Sequence, residues 1–206
     1  METIPQYLTH LASESPTPGG GSATTIVAAA GASLVAMVAR ICAASPKYAS
    51  QSKSALALAA KADQLREDLL RGRPRDEAAF ARVMLATAMP KGTDVEKTRR
   101  RDALERALCE AAAEPLRSAQ CALAVLRLAA TALEIPNKNL ASDIGCAAEF
   151  ASAAIAACAY NVKINHRFMH DAQTIDGQAT ALARCEREAA ALLAGVRRAV
   201  RDLIEA

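Results

Sequence analysis

The feature that most constrains the fold is a charge-free, alanine-rich run. ATTIVAAAGASLVAMVA, residues 23–39, stands directly behind the breaker-rich SPTPGGGS. A helix apolar nearly all round must be buried on every side. A second such stretch lies near residues 144–162. Hydrophobic residues make up 52% of the 206-residue chain, yet aromatics are only 3% and Trp is absent. The apolar content is therefore Ala, Leu, Val and Ile, which favours helices that approach closely. No segment shows sustained period-2 alternation, so no strand is expected. The run Ala23–Ile41 is nearly long enough to span a bilayer. Its Ala, Gly, Ser and Thr content points instead to a buried core helix, and no membrane partner is expected.

These patterns predict an all-α, multi-helix bundle forming a single domain over residues 1–206. A short helix is expected over Pro5–Ala12 and the long apolar one from Ser22 to Ala43, with a break at Ser45-Pro46. A third runs from Tyr48 to Arg71, where Gly72 and Pro74 interrupt, and a fourth from Arg75 to Ala88. After the loop Met89–Asp94, Thr93 and Glu96 form a capping box for a fifth helix, which reaches Leu133 with a kink at Pro115. The loop Glu134–Asn139 precedes a sixth helix, Ser142–Phe168, and an amphipathic last helix runs from Ile175 to the end. Two buried alanine-rich helices are hard to cover in one such bundle, so a homodimer is expected.

Charge and cysteines exclude several classes. A net charge of +3 is too small to argue for nucleic acid, and none is expected. The six cysteines form no CxxC and read as reduced core thiols. With no basic segment leading an apolar one at the start, a cytoplasmic protein is expected. His166 and His170 have helical metal-pair spacing, but Asp171 is a poor third ligand and no metal is expected. No Ser-His-Asp set is evident, which leaves carboxylic acids as the catalytic candidates.

Gly19, Gly20 and Gly21 can adopt positive φ and expose backbone N–H groups, with Ser22 as the cap of the following helix. Such a terminus can hold a carboxylate, a phosphate or a polar heterocycle. A structural turn explains the same residues. Asp76, placed at a helix start, reads on its own as an acid that favours the helix dipole. Asn161 and Asn165, one turn apart on an apolar helix, need partners, either neighbouring helix ends or a ligand.

PTPGGGSATTIVAAAGASLVAMVARI resembles the signature of the formiminotetrahydrofolate cyclodeaminase / methenyltetrahydrofolate cyclohydrolase family. The segments PKY (Pro46–Tyr48), DEAAF (Asp76–Phe80), PKGTDVEKTRR (Pro90–Arg100), NKNLASD (Asn137–Asp143) and NVKIN (Asn161–Asn165) are similar to further family segments, in order. The chain departs at RICAAS (Arg40–Ser45), where Ile41 and Cys42 replace a Leu-Thr pair. The resemblance implies an all-helical homodimer acting on folate one-carbon units. The reaction is hydrolysis of 5,10-methenyltetrahydrofolate to 10-formyltetrahydrofolate. Alternatively, 5-formiminotetrahydrofolate is cyclised with release of ammonia, or a non-enzymatic helical dimer binds another anionic heterocycle.

The resemblance makes Asp76 the general acid/base. Substrate contacts then fall to Gly19, Gly20, Gly21, Ser22, Asn137, Asp143, Asn161 and Asn165, although Asp143 also reads as an acid helping to cap its helix. Lys47, Lys91 and Arg100 are loop or helix-end cations that suit the glutamate tail and a solvated role equally. It calls for no cofactor, since the tetrahydrofolate derivative is the substrate. Asp143 and Asn161 lie on one predicted helix, eighteen residues and so roughly 27 Å apart. One pterin cannot touch both on the same chain. At 206 residues there is no room for a fused formiminotransferase domain, which favours the stand-alone cyclohydrolase.

Overall fold

A computed structural model describes residues 2–135 and 137–205; Pro136 of the expected loop and the terminal Ala206 lie outside the described residues. The described residues form six α-helices: α1 Ile4–Leu11, α2 Gly20–Ala44, α3 Ser52–Thr87, α4 Asp94–Ala132, α5 Ala141–His166 and α6 Ala172–Glu205. Short 3₁₀ turns, Pro46–Gln51 and Lys138–Leu140, precede α3 and α5. No strand occurs among the described residues.

The start of α4 follows directly from local chemistry. The Thr93 side chain accepts from the Glu96 N–H, and Glu96 returns to the Thr93 N–H at 2.9 Å. A cap of this kind stabilises a helix by about 1 kcal/mol. The expected interruption at Gly72–Pro74 does not occur, and α3 runs through both residues. Pro74 removes one ladder bond and costs about 3 kcal/mol in an isolated helix. Packing outweighs that cost. Leu69, Gly72 and Ala79 are buried on either side of the proline, and a Cβ on Gly72 would meet Thr25 of α2 at 3.2 Å and Ser118 of α4 at 3.4 Å. Glycine lets the three helices close where the proline weakens one of them. In α4, Pro115 lies inside one continuous helix.

The core is built from α2, α3, α4 and α5, with α6 laid across α4 and α5. Most of its buried residues are alanines, with Val35, Val125, Leu126, Ile144 and Ile155 as the larger members. Small side chains bring backbones together: a Cβ on Gly31 would stand 3.0 Å from the Ala147 carbonyl oxygen. Gly20 faces Asn161, Gly31 faces Ala147, and Cys42 faces Asn137, so α2 and α5 run antiparallel. Arg127–Glu188 and Arg197–Glu149, both at 2.6 Å, tie α6 to α4 and α5. Such exposed pairs contribute little each. The buried Leu182, Cys185, Ala189, Leu193 and Val196 of α6 do more.

By length and hydropathy alone, α2 and the segment Lys138–His166 could cross a membrane. In the fold they are central bundle helices, with half of the most apolar part of α2 buried within the chain.

Candidate active site

At the N-terminus of α2 the first helical N–H groups have no carbonyl one turn back. The ladder begins at Ala23, whose N–H donates to the Gly19 oxygen at 3.0 Å. That leaves the N–H groups of Gly20, Gly21 and Ser22. The side chain of Asp76, from the middle of α3, comes up against this end and accepts the Ser22 N–H. A Cβ on Gly21 would lie 2.5 Å from Asp76 Oδ2 and 2.6 Å from its Cγ, a separation no side chain tolerates. Glycine at position 21 is therefore what lets the carboxyl reach the helix end.

Three expectations are corrected here. No glycine has positive φ, and Gly19 is extended at φ −123°. The glycines serve close approach rather than left-handed backbone. Ser22 is not the cap: Gly19 holds that position, and Ser22 is a fully buried residue of the first turn. Its hydroxyl donates to Glu77 Oε1 at 3.1 Å and lies 3.1 Å from the Tyr7 hydroxyl. Asp76 is also not at a helix start, because α3 does not break before it.

Asp76 lines a pocket of about 340 Å³ between the Pro16–Gly21 segment, α3, α4 and the end of α5. Its polar groups are Thr17, the glycine backbone, Asp76, Asn161 and Asn165; Phe80, Val83, Leu108, Ile164 and Phe168 form apolar walls. Asn161 Nδ2 donates to the Ala157 oxygen at 3.0 Å. Asn165 Nδ2 donates to the oxygens of Ala111, at 3.1 Å, and Asn161, at 2.8 Å. The amide NH₂ groups therefore serve the helices, and the amide oxygens are left to receive a ligand.

Burial pushes the Asp76 carboxyl from 3.8 up to about 6, with further upward pressure from the nearby carboxylates of Glu77 and Glu114. The Ser22 N–H acts the other way and loses. The outcome is an acid that gains and loses its proton near neutral pH. Behind it on α5, burial and the Asp76 charge push the Cys158 thiol up to about 12, so it is no nucleophile.

The structure thus brings Gly19, Gly20, Gly21, Asp76, Asn161 and Asn165 to one pocket; Ser22, expected to touch substrate, is fully buried behind it and does not line it, and the rest are separate. Asp143 sits in the first turn of α5 at the opposite end of that helix from Asn161. Asn137, whose Nδ2 is 3.7 Å from Cys42 Sγ, is at the same far end. Lys47 is exposed there, with Nζ 5.3 Å from the centroid of the Tyr48 ring. Lys91 is exposed in the α3–α4 loop, and Arg100 donates to the Thr87 oxygen at 3.1 Å. None of these five lines the pocket. His166 and His170 do not share a helix face, since α5 ends at His166, whose Nε2 is 2.7 Å from Gln178 Oε1. Among the described residues no three His, Cys, Asp or Glu side chains are grouped to hold a metal. All six cysteines are free, and Cys146 is exposed rather than in the core.

Sequence reasoning missed Phe80, Phe168, Tyr7 and Glu77. One signal was available for the first two: the chain has only three phenylalanines, and two of them face this pocket.

The model of the formiminotransferase-cyclodeaminase family matches residues 3–184. The chain is 37% identical over 170 residues to the methenyltetrahydrofolate cyclohydrolase of Methylorubrum extorquens, covering 82% of each protein. It is 28% identical over 165 residues to the formimidoyltransferase-cyclodeaminase of Rattus norvegicus, and spans only 30% of that protein's length. The crystal structure of formiminotetrahydrofolate cyclodeaminase from Thermotoga maritima superposes with a TM-score of 0.89 over 98% of both chains, at 24% identity.

Two outcomes test the site. Gly21→Ala should abolish ligand binding or activity by displacing Asp76, while Gly20→Ala, whose Cβ would have 3.9 Å of clearance to Asn161, should be tolerated. Equal tolerance would contradict the close approach. The second concerns pH. Because the folded value of Asp76 lies above its ordinary 3.8, its contribution to stability is present at acid pH and is lost as pH rises through about 6. Asp76→Asn removes that loss. It should raise stability at pH 8 by about 1–2 kcal/mol after screening, with the gain closing as pH falls toward about 4. Thermal melts of both proteins against pH read this directly.

Proposed function

The chain belongs to the formiminotransferase-cyclodeaminase family, and from that premise we propose that it hydrolyses 5,10-methenyltetrahydrofolate to 10-formyltetrahydrofolate. One observation carries the reading: a carboxyl that titrates near neutrality is held against free helix N–H groups in a pocket with aromatic walls. The 37% identity to a methenyltetrahydrofolate cyclohydrolase over most of both proteins supports it.

The chemistry needs one proton-transfer group. Water adds to the cationic carbon that bridges N5 and N10, and the Asp76 carboxylate takes a proton from it. The tetrahedral intermediate opens by breaking the carbon–N5 bond, with Asp76 returning its proton to N5. The formyl group stays on N10, and the hydroxyl proton leaves to solvent, so one proton is released overall. Phe80 and Phe168 offer surfaces for a flat pterin. The amide oxygens of Asn161 and Asn165 suit its N–H donors, and the free N–H groups of Gly20 and Gly21 its carbonyl. The rodent relatives named formimidoyltransferase-cyclodeaminase favour a second reaction at the same site, attack of N10 on a formimino carbon with loss of ammonia. Neither reaction demands a metal or cofactor, and a cytoplasmic location suits both.

The reading includes a homodimer. Val27, Met37, Ile41, Phe150 and Tyr160 are exposed on the two apolar helices, Tyr160 at 76%. A groove lined by Ala23, Val27, Ala153, Ala157 and Tyr160 continues from the pocket through Gly20 and Asn161. The antiparallel α2 and α5 carry the pocket at one end and Lys47, Asn137 and Asp143 at the other. A two-fold axis through the middle of this face brings those ends together. Asp143 of the partner subunit then meets the pterin that Asp143 of the same chain cannot reach.

Absorbance with both substrates separates the reactions, since the near-ultraviolet band of the methenyl compound falls on hydrolysis and grows on cyclodeamination. Asp76→Asn should slow turnover by about two to four powers of ten. Near-normal kcat in the folded variant removes Asp76 from the mechanism. For the dimer, mixing inactive Asp76→Asn and Asp143→Asn proteins should restore roughly a quarter of the activity, because half of the mixed dimers' sites carry neither change. No recovery after subunit exchange removes Asp143 of the partner subunit from the site.

A further inference from the structure

A second layer of hydrogen bonds stands behind Asp76, built by α1 and the preceding turn of α3. Tyr7 is buried, and its hydroxyl is 3.1 Å from Ser22 Oγ. Ser22 Oγ donates to Glu77 Oε1 at 3.1 Å. Arg73 Nε donates to the same oxygen at 3.0 Å, and Arg73 also pairs with Glu2 at 2.6 Å. The Arg73 guanidinium lies 4.3 Å from the centroid of the Tyr7 ring. Glu2 in turn meets His10 at 2.6 Å. These contacts converge on one residue. Ser22 gives its hydroxyl to Glu77 and its backbone N–H to Asp76.

We infer that Tyr7, Ser22 and Glu77 form a positioning device for Asp76: the chain of hydroxyls fixes the α2 terminus on which Asp76 leans, and Glu77 keeps a second negative charge behind it. The inference rests on the reading of Asp76 as the proton-transfer group. It explains why a residue pair with adjacent carboxyls is divided between two surroundings. Asp76 turns into the pocket toward glycine backbone, while Glu77 turns away and takes up Ser22 and Arg73.

The charges around Asp76 are these. Glu77 lies on its own helix, and Glu114 comes from α4, pairing with Arg75 at 3.3 Å and with Arg117. The neutral Cys158 thiol faces it from α5, the Ser22 N–H from α2, and Tyr7 of α1 acts through Ser22. Arg73 is committed to Glu77 and Glu2. Two variants therefore act with opposite sign. Glu77→Gln removes a negative charge and moves the Asp76 titration to lower pH. Tyr7→Phe keeps the ring over Arg73 but frees Ser22, weakens the N–H contact and moves the titration to higher pH.

The test follows the protonated-carboxyl infrared band of Asp76 against pH, identified as the difference from Asp76→Asn, beside the pH profile of kcat/KM and a thermal melt. The expected shifts are about half a pH unit or more, downward for Glu77→Gln and upward for Tyr7→Phe, with kcat for Tyr7→Phe lowered about three- to tenfold. Glu67→Gln, an exposed carboxylate on the same helix, should leave the band where it is. Lower melting temperatures with an unmoved band in both folded variants overturn the inference and leave a purely structural network. Should Glu77→Gln not fold, an unmoved band in Tyr7→Phe overturns it alone. A band that shifts while the kcat/KM profile stays put supports the positioning device and refutes Asp76 as the proton-transfer group, so the two failures are separable.

Discussion

The contact between the Asp76 carboxyl and the N-terminus of α2 is the interaction on which the rest of the site depends. It joins two long helices at a point where one has unpaired N–H groups and the other an acid. It requires a backbone with no Cβ at position 21. An exposed helix end would hold such an acid ionised, since the dipole and the N–H bond both favour the anion. Here desolvation and two neighbouring carboxylates outweigh them, and the proton is held to about pH 6. The same carboxyl therefore closes the fold and, in the functional reading proposed above, carries chemistry, and its destabilising ionisation is the cost of that double role.

The alanine-rich core is what makes this geometry attainable. With Gly31 against the Ala147 carbonyl, α2 and α5 pack with little side-chain volume between them. The interhelical spacing is set by backbone contact, which leaves few ways to slide. Asn161 and Asn165 are thereby fixed opposite Gly20 and the Asp76 pocket, their amide NH₂ groups already committed to helix carbonyls. Arginine–carboxylate pairs mark the outside of the bundle, while the pocket keeps its single acid and its two phenylalanines.

The same antiparallel pairing divides the residues that the family resemblance groups together. Gly19–Gly21, Asp76, Asn161 and Asn165 meet at one end, and Lys47, Asn137 and Asp143 stand at the other. The rigid length of α5 makes this separation unavoidable within one chain. A folate bound in the pocket and a second subunit across the apolar α2–α5 face reconcile the two sets in the functional reading proposed above.

The sequence by itself determined the helical class, the boundaries of α1, α2 and α5 to within a few residues, and the capping box at Thr93. These depend on neighbours within one or two turns: apolar periodicity, caps and the absence of alternation. It also marked the glycine run, through the N–H groups such a helix end exposes, and Asp76, through a resemblance to known proteins rather than through physics. Tertiary structure alone decided that α3 runs through Pro74, because burial of Leu69, Gly72 and Ala79 against α2 and α4 outweighs a local preference of about 3 kcal/mol. It alone decided that Gly21 serves a carboxyl fifty-five positions away, and that Ser22 answers to Tyr7 and Glu77 instead of capping its helix. Each of those outcomes is a contact between residues far apart in the chain. Local propensity carries no information about such contacts, since they exist only once the helices have packed.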